Sequence, residues 1–206
     1  DVVYLRLSNS PQQRALAEKL AAIEGAEAAL AFGSGMAAVS TALLSALSAG
    51  DHLLVQRNTY GGTATLVNHD LPRFGISSTE VDATRPETWE AALTPQTRAF
   101  YVEGISNPLL DVPQLDAVVA FARAHGLVSV IDNTFLSPAG FRPVPFGFDL
   151  VVHSATKYLN GHSDIVAGVV AGSRERMAAI ANLSHHLGGS LDPHACFLLD
   201  RGLKTM

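Results

Sequence analysis

Cysteine is nearly absent from this chain: Cys196 is the only one in 206 residues. A single thiol closes no disulfide within the chain, and no metal-type spacing of ligands accompanies it, so no metal site is expected. A reducing, cytoplasmic setting follows as the expectation. Charge is scarce too, with 16% charged residues against 48% hydrophobic and a balance of −5. Such a composition buries a sizeable core and excludes a disordered chain. A nucleic-acid binder needs a basic face to neutralise phosphates, and this mildly acidic sequence argues against that class. Lysine is the rarest basic residue. Lys19, Lys157 and Lys204 stand against eleven arginines, so each lysine can be asked what it does.

Unbroken hydrophobic runs of membrane-spanning character are missing as well. The stretch from Ala28 to Gly50 carries no charge and is long enough to cross a bilayer. Gly33, Ser34, Gly35, Ser40, Thr41, Ser45 and Ser48 interrupt it, and Ala dominates over Leu, Ile and Phe. A buried strand–turn–helix fits it better than a spanning helix, so no membrane association is expected. No basic segment followed by an apolar core opens the sequence. The chain starts at Asp1 without a Met, which suggests part of something longer.

What is present is an alternation of helical and apolar β-type segments. Ser10 and Pro11 form a helix start, Leu16, Leu20 and Ile23 recur at helical spacing, and Gly25 ends the run. Strands are expected at 28–32, 52–56, 77–81, 98–103, 127–131, 150–153 and 165–171. Helices are expected at 11–24, 36–48, 60–74, 86–93, 114–125 and 174–183, with 137–148 as a loop. Apolar β-branched runs separated by helices predict an α/β fold, a mostly parallel sheet flanked by helices.

Ligands of open α/β sheets bind at the carboxyl ends of the strands, so the residues after each strand carry most information. Gly33-Ser34-Gly35-Met36 follows the first strand and opens a helix, where small residues let backbone N–H groups approach an anion. The alternative is a plain tight turn. Asp132 ends a later strand, either as a ligand-facing carboxylate or as a turn former. The densest cluster runs from Asp149 through Ser154, Thr156, Lys157 and Tyr158 to Asp164. A lysine directly after a buried strand is an odd place for a solvated charge, and desolvation can make it a carbonyl-condensing nucleophile. Ser154 and Thr156, two apart on an extended segment, could face one anion.

The segment from Asp149 to Ser163 resembles the lysine signature of the Cys/Met-metabolism family of pyridoxal-phosphate enzymes, which includes cystathionine γ-lyase, cystathionine γ-synthase and methionine γ-lyase. Tyr4-Leu-Arg6, Gly33-Ser-Gly-Met36, Tyr60-Gly-Gly-Thr63, Ser106-Asn107-Pro108, Asp132-Asn-Thr-Phe135 and Arg201-Gly-Leu-Lys204-Thr205 follow in the family's order. The resemblance implies the large domain of type I pyridoxal-phosphate-dependent transferases over 11–206. Residues 1–10 would form an arm reaching a neighbouring subunit, and the family's C-terminal small domain would lie outside this chain. Leu7 to Pro11 departs from the family's usual Gly-Asn-Pro-Thr.

Roles follow from the resemblance. Lys157 would hold the aldehyde of pyridoxal 5'-phosphate as a Schiff base and then shuttle protons. Asp132 would pair with the pyridine nitrogen and keep it protonated, so that the ring absorbs the carbanion's electrons. Gly35 and Met36 through their backbone N–H groups, with Ser154 and Thr156, would hold the phosphate. Tyr60 would stack on the ring and move a proton, Asn107 would lie near the ring hydroxyl, and Tyr4 and Arg6 would reach the phosphate of a neighbouring subunit's cofactor. Such sharing implies a homo-oligomer, a homotetramer built from dimers. His162 and Asp164 are expected to brace the Lys157 loop.

The implied reaction is γ-elimination on a sulfur amino acid such as cystathionine, giving cysteine, 2-oxobutanoate and ammonia. The alternatives are γ-replacement on an activated homoserine and methionine γ-elimination, with a non-enzymatic paralogue a distant further one. Methionine γ-lyases commonly carry a cysteine two residues after the stacking tyrosine, and here that position is Gly62.

Overall fold

The computed structural model describes residues 3–206, so the first two residues of the expected N-terminal arm lie outside the described residues. Seven strands form one sheet: β1 (Ala28–Phe32), β2 (His52–Gln56), β3 (Ser77–Val81), β4 (Thr97–Glu103), β5 (Val128–Asp132), β6 (Leu150–His153) and β7 (Gly168–Gly172). Their spatial order is β1-β7-β6-β5-β4-β2-β3. The pairs β2–β3, β2–β4, β4–β5 and β5–β6 are parallel, and β7 runs antiparallel to both β1 and β6. The expected mostly parallel sheet is thus present.

The direction of β7 has a local cause. After β6 the chain turns through the Lys157 loop and comes straight back without a crossover helix, which allows only an antiparallel return. Thr156 closes that loop: its Oγ1 donates to the carbonyl of Ala167 at 3.1 Å and accepts from the Ala167 N–H at 3.0 Å. The clamp leaves Ile165 and Val166 outside the strand, which therefore begins at Gly168 rather than at 165. Gly168 is also where β7 crosses the turn after β1. A Cβ there would sit 2.1 Å from the carbonyl oxygen of Ser34, so the approach tolerates only glycine.

Among the described residues, eight α-helical segments cover the sheet: α1 (Pro11–Glu24), α2 (Gly35–Ala46), α3 (Gly61–Thr65), α4 (Leu115–Ala124), α5 (Ser137–Gly140), α6 (Pro143–Phe146), α7 (Arg174–Leu187) and α8 (Pro193–Leu203). α1 starts as its sequence demands, with Ser10 accepting from the Gln13 N–H and the Gln13 side chain accepting in return from Ser10 N–H. α3 continues through a π-helical turn at Leu66–Asp70 and a 3-10 turn at Leu71–Phe74, filling the expected 60–74 helix. The expected 86–93 helix is two 3-10 turns, Pro86–Thr88 and Glu90–Ala92. The expected loop at 137–148 contains the two single-turn helices α5 and α6. α8 lies where no helix is expected, although Asp192 caps it and Pro193 opens it.

Strand alternation sends side chains to two layers. On one face Phe32, Leu53, Val55, Tyr101, Val130, Val152 and Val170 pack with Ala38, Val39, Ala42 and Leu43 of α2 and Met177 and Ile180 of α7. On the other, Leu54, Phe100, Val102, Ile131 and Val151 meet Val118, Val119 and Ala122 of α4. Ala31 and Val169 meet α1 and α8 through Leu16, Leu20, Cys196 and Leu199. Cys196 is a buried packing residue, as its surroundings require. Among the described residues, no helix is long and apolar enough to cross a membrane.

Candidate cofactor site

Because β1 and β6 are both antiparallel to β7, the carboxyl ends of β1, β2, β4, β5 and β6 share one edge of the sheet. The residues that follow those ends make the site. After β1, Ser34 caps α2: its Oγ accepts from the Ala37 N–H at 3.0 Å, and its carbonyl accepts from Ala38. Among the described residues the N–H groups of Gly35 and Met36 meet no acceptor, so the positive end of a twelve-residue helix stays open. Gly35 touches the end of β6, where a Cβ on it would lie 2.8 Å from the Cβ of Ser154.

Ser154 belongs to a short polar chain. Its N–H donates to Thr134 Oγ1 at 2.8 Å, and the Thr134 hydroxyl and N–H both donate to Asp132 Oδ1, at 2.5 and 2.9 Å. The Tyr101 hydroxyl reaches Asp132 Oδ2 at 3.4 Å. Desolvation pushes the Asp132 carboxyl above its usual range, while Thr134 and the nearby His153 pull it back. Burial drives the Tyr101 phenol well above its ordinary value, with the charge of Asp132 adding to it.

Opposite Asp132 in the sheet stands Glu103, the last residue of β4. It is 3% exposed. One carboxylate oxygen accepts from the Tyr60 N–H at 2.7 Å and the other from the Asn107 N–H at 3.1 Å. Desolvation raises its carboxyl to about 7; the two N–H bonds oppose that rise and Asp132 adds to it. The Tyr60 ring is half exposed and lies over Gly62: a Cβ on Gly62 would come within 2.6 Å of the ring and 3.0 Å of the Met36 sulfur.

Lys157 is exposed and sits in a braced loop. Its N–H donates to the Ser154 carbonyl at 3.1 Å, and its carbonyl accepts from Gly161 at 2.7 Å. Buried Asn160 donates to Asp164 at 2.9 Å, His162 Nδ1 lies 2.6 Å from the Asn160 carbonyl oxygen, and Arg201 of α8 pairs with Asp164.

Of the residues singled out from sequence, Gly35, Met36, Tyr60, Asn107, Asp132, Ser154, Thr156 and Lys157 therefore all follow the strand ends at this one edge. Two placements differ from the simplest picture. Thr156 has already given its hydroxyl hydrogen to Ala167, so it does not share a free donor position with Ser154. Tyr4 and Arg6 lie on the single chain's own surface: the Arg6 guanidinium stacks 5.1 Å from the Tyr4 ring centroid and donates to the His185 carbonyl of α7.

Sequence reasoning missed Glu103, Tyr101, Thr134 and a buried pair behind the site, His153 and Glu24, whose Nε2 and Oε1 are 2.5 Å apart. The available signal for Glu103 was its place as the last residue of an otherwise apolar strand.

A helix N-terminus with open donors, a partly buried carboxylate at a strand end and a lysine in a braced loop, all on one sheet edge, define a cofactor-binding α/β protein. Comparison with known proteins narrows the class. The family model for Cys/Met metabolism PLP-dependent enzymes matches residues 1–206. Cystathionine beta-lyase of Bacillus subtilis is 44% identical over 200 residues, 97% of this chain and 51% of its own. L-methionine gamma-lyase of Pseudomonas putida is 42% identical over 205 residues, 98% of this chain and 51% of its own. Cystathionine gamma-lyase from Lactobacillus plantarum, solved in complex with L-serine, superposes with a TM-score of 0.93 at 41% identity, over 97% of this chain and 52% of that one. The chain belongs to the Cys/Met metabolism family of pyridoxal-phosphate-dependent enzymes. It spans about half the length of the curated relatives it matches.

Pyridoxal 5'-phosphate is the cofactor of that family, and the residues present fit it. The open Gly35 and Met36 donors suit a phosphate, and Asp132, with one oxygen already held by Thr134, would have the other for a protonated ring nitrogen.

Proposed function

We propose that this chain is the cofactor-binding part of a carbon–sulfur lyase that acts on cystathionine or a similar sulfur amino acid by γ-elimination. The observation that carries the reading is the shared strand-end edge, where the open N-terminus of α2, Ser154, Asp132 and Lys157 follow β1, β5 and β6. Bound pyridoxal phosphate would act as an electron sink for charge released at the substrate. Gly35, Met36 and Ser154 hold the phosphate, and Thr156 joins them by turning its hydroxyl hydrogen away from Ala167. Asp132 would keep the ring nitrogen protonated by accepting the hydrogen bond of its N–H at Oδ2. Tyr60 stacks on the ring, and Asn107 approaches its hydroxyl. Lys157 anchors the cofactor aldehyde and, as a free amine, carries protons at Nζ. Tyr4 and Arg6 leave their own surface to serve a neighbouring subunit in a homotetramer of dimers, with residues 1–10 as the connecting arm.

Cleavage on the other side of the sulfur is the second reading. It is favoured by relatives of similar identity named cystathionine beta-lyase, from Bacillus subtilis and from Lactococcus lactis.

One assay separates them. Cystathionine given to the purified holoenzyme yields cysteine and 2-oxobutanoate by γ-elimination, or homocysteine and pyruvate by β-elimination. The expected products are the first pair, and their absence sinks the γ reading. Replacing Lys157 with Ala should abolish both turnover and the borohydride-stable attachment of the cofactor.

A further inference from the structure

We propose that Glu103 is a positioning residue for the cofactor site: its buried carboxylate pins the backbones of Tyr60 and Asn107 to one another and thereby fixes where the Tyr60 ring stands. The inference rests on the proposed cofactor roles of Tyr60 and Asn107, and on geometry for the rest.

The two residues come from different connections, one after β2 and the other after β4. Glu103 is the group that joins them, with one N–H on each oxygen. Its own N–H is taken by the side chain of buried Gln56, the last residue of β2, at 2.9 Å. The ends of β2 and β4 are thus tied twice, once in each direction. Tyr60 precedes α3, and its carbonyl accepts from Ala64. The Glu103 bond holds the other side of the same residue, so the ring's root is gripped from both ends. The ring itself rests over Gly62 and beside Met36, which leaves its aim to the backbone.

A carboxylate suits this task and an amide does not. Two converging N–H donors need two acceptors, and Gln supplies one acceptor and one donor. Burying a carboxylate without a cation is costly, and among the described residues no Lys, Arg or His pairs with Glu103. Packing alone would be served better by an apolar side chain at this position. The two site segments are what the charged group serves.

Glu103→Ala and Glu103→Gln test this in the holoenzyme and after cofactor removal. In the cofactor-free protein, amide exchange at Tyr60 and Asn107 should speed up about tenfold or more in the Ala variant, because each loses a bond to a charged acceptor. Exchange in β5 and β6 should stay as in the parent. The Gln variant should release one of the two amides and keep the other. In the holoenzyme both variants should shift the visible band and fluorescence of the bound cofactor, as a displaced aromatic neighbour requires. Unchanged exchange at both amides overturns the proposal, as does faster exchange spread evenly over the core strands or a parental cofactor spectrum. The near-isosteric Gln variant keeps the test decisive if the Ala variant does not fold. Should cystathionine give no product while the exchange pattern and spectral shift hold, the reaction reading fails and this one stands.

Discussion

Two acidic side chains, Asp132 and Glu103, stand opposite each other at neighbouring strand ends. Desolvation makes ionisation harder for both, the charge of Asp132 adds to this at Glu103, and backbone and hydroxyl donors recover part of the cost. The two differ in what their oxygens touch. Glu103 spends both on the protein's own backbone, while Asp132 has one oxygen on Thr134 and only a long contact from Tyr101 on the other. That asymmetry makes Asp132 the one able to take an external proton donor. Asp132→Asn separates the roles of charge and shape, because Asn keeps an acceptor for Thr134 and removes the charge. The folded carboxyl titrates above its unfolded value, so the stability it lends is lost as pH rises through the folded value. At pH 8 the cofactor-free Asn variant should therefore melt no lower than the parent. Its affinity for pyridoxal phosphate should fall about tenfold or more, the usual worth of a charge-assisted bond. Thermal unfolding and absorbance titration check both halves, and a variant that melts lower yet binds normally overturns the assignment.

At the scale of elements, α1 is fastened to β6 by Glu24 and His153, side chains 3% and 1% exposed. The tie lies directly behind Ser154 and on the opposite face from Asp132, so it bears on how firmly the Lys157 loop is rooted. Glu24→Ala leaves the imidazole without its partner in an apolar layer and should cost roughly 1–3 kcal/mol in urea unfolding, the range for a buried polar group left unsatisfied. A loss under about 1 kcal/mol would show that water or a neighbour takes the place of the carboxylate. Such long-range ties explain what was legible in the sequence. The central parallel strands are readable because strands covered on both faces are largely apolar runs, and the site loops because they follow those runs. Glu24 and His153 were not, since 129 residues separate them and neither breaks a local pattern. Glu103 was invisible for a related reason: only sheet register sets it against Asp132. β7 begins three residues later than its sequence suggests because Ile165 and Val166 look like strand, whereas the Thr156 clamp holds them in the loop. α8 has a clear start at Asp192-Pro193, but its last turn coincides with the Arg201-Gly-Leu-Lys204 motif, which masks its helical pattern.

For the molecule as a whole, these groups set opposing pH windows. Asp82 and Asp164 are held below the usual carboxylate range, Asp82 by Thr84 first and Arg57 later, Asp164 by Arg201 and Asn160. Both contribute stability that fades only as pH falls through their lowered values. His52, buried between Thr97 and Thr79, prefers its neutral form, so it too loses stability on the acid side. Glu103 works the other way. Its carboxyl rises from 4.5 to about 7, so its contribution is complete below 4.5 and is lost as pH climbs through 7. A shift of that size is worth on the order of 3 kcal/mol. The cofactor-free protein should therefore melt highest in mildly acid solution and lose stability between pH 5 and 8, against the common trend of carboxylates. Pyridoxal phosphate, by binding the folded state in preference to the unfolded one, should raise the melting temperature throughout that range. The decisive comparison is the slope. In Glu103→Gln the decline between pH 5 and 8 should flatten, whatever the variant's absolute stability, because the group that titrates there is gone. A parallel decline in parent and variant would show that Glu103 is not the group that sets the window.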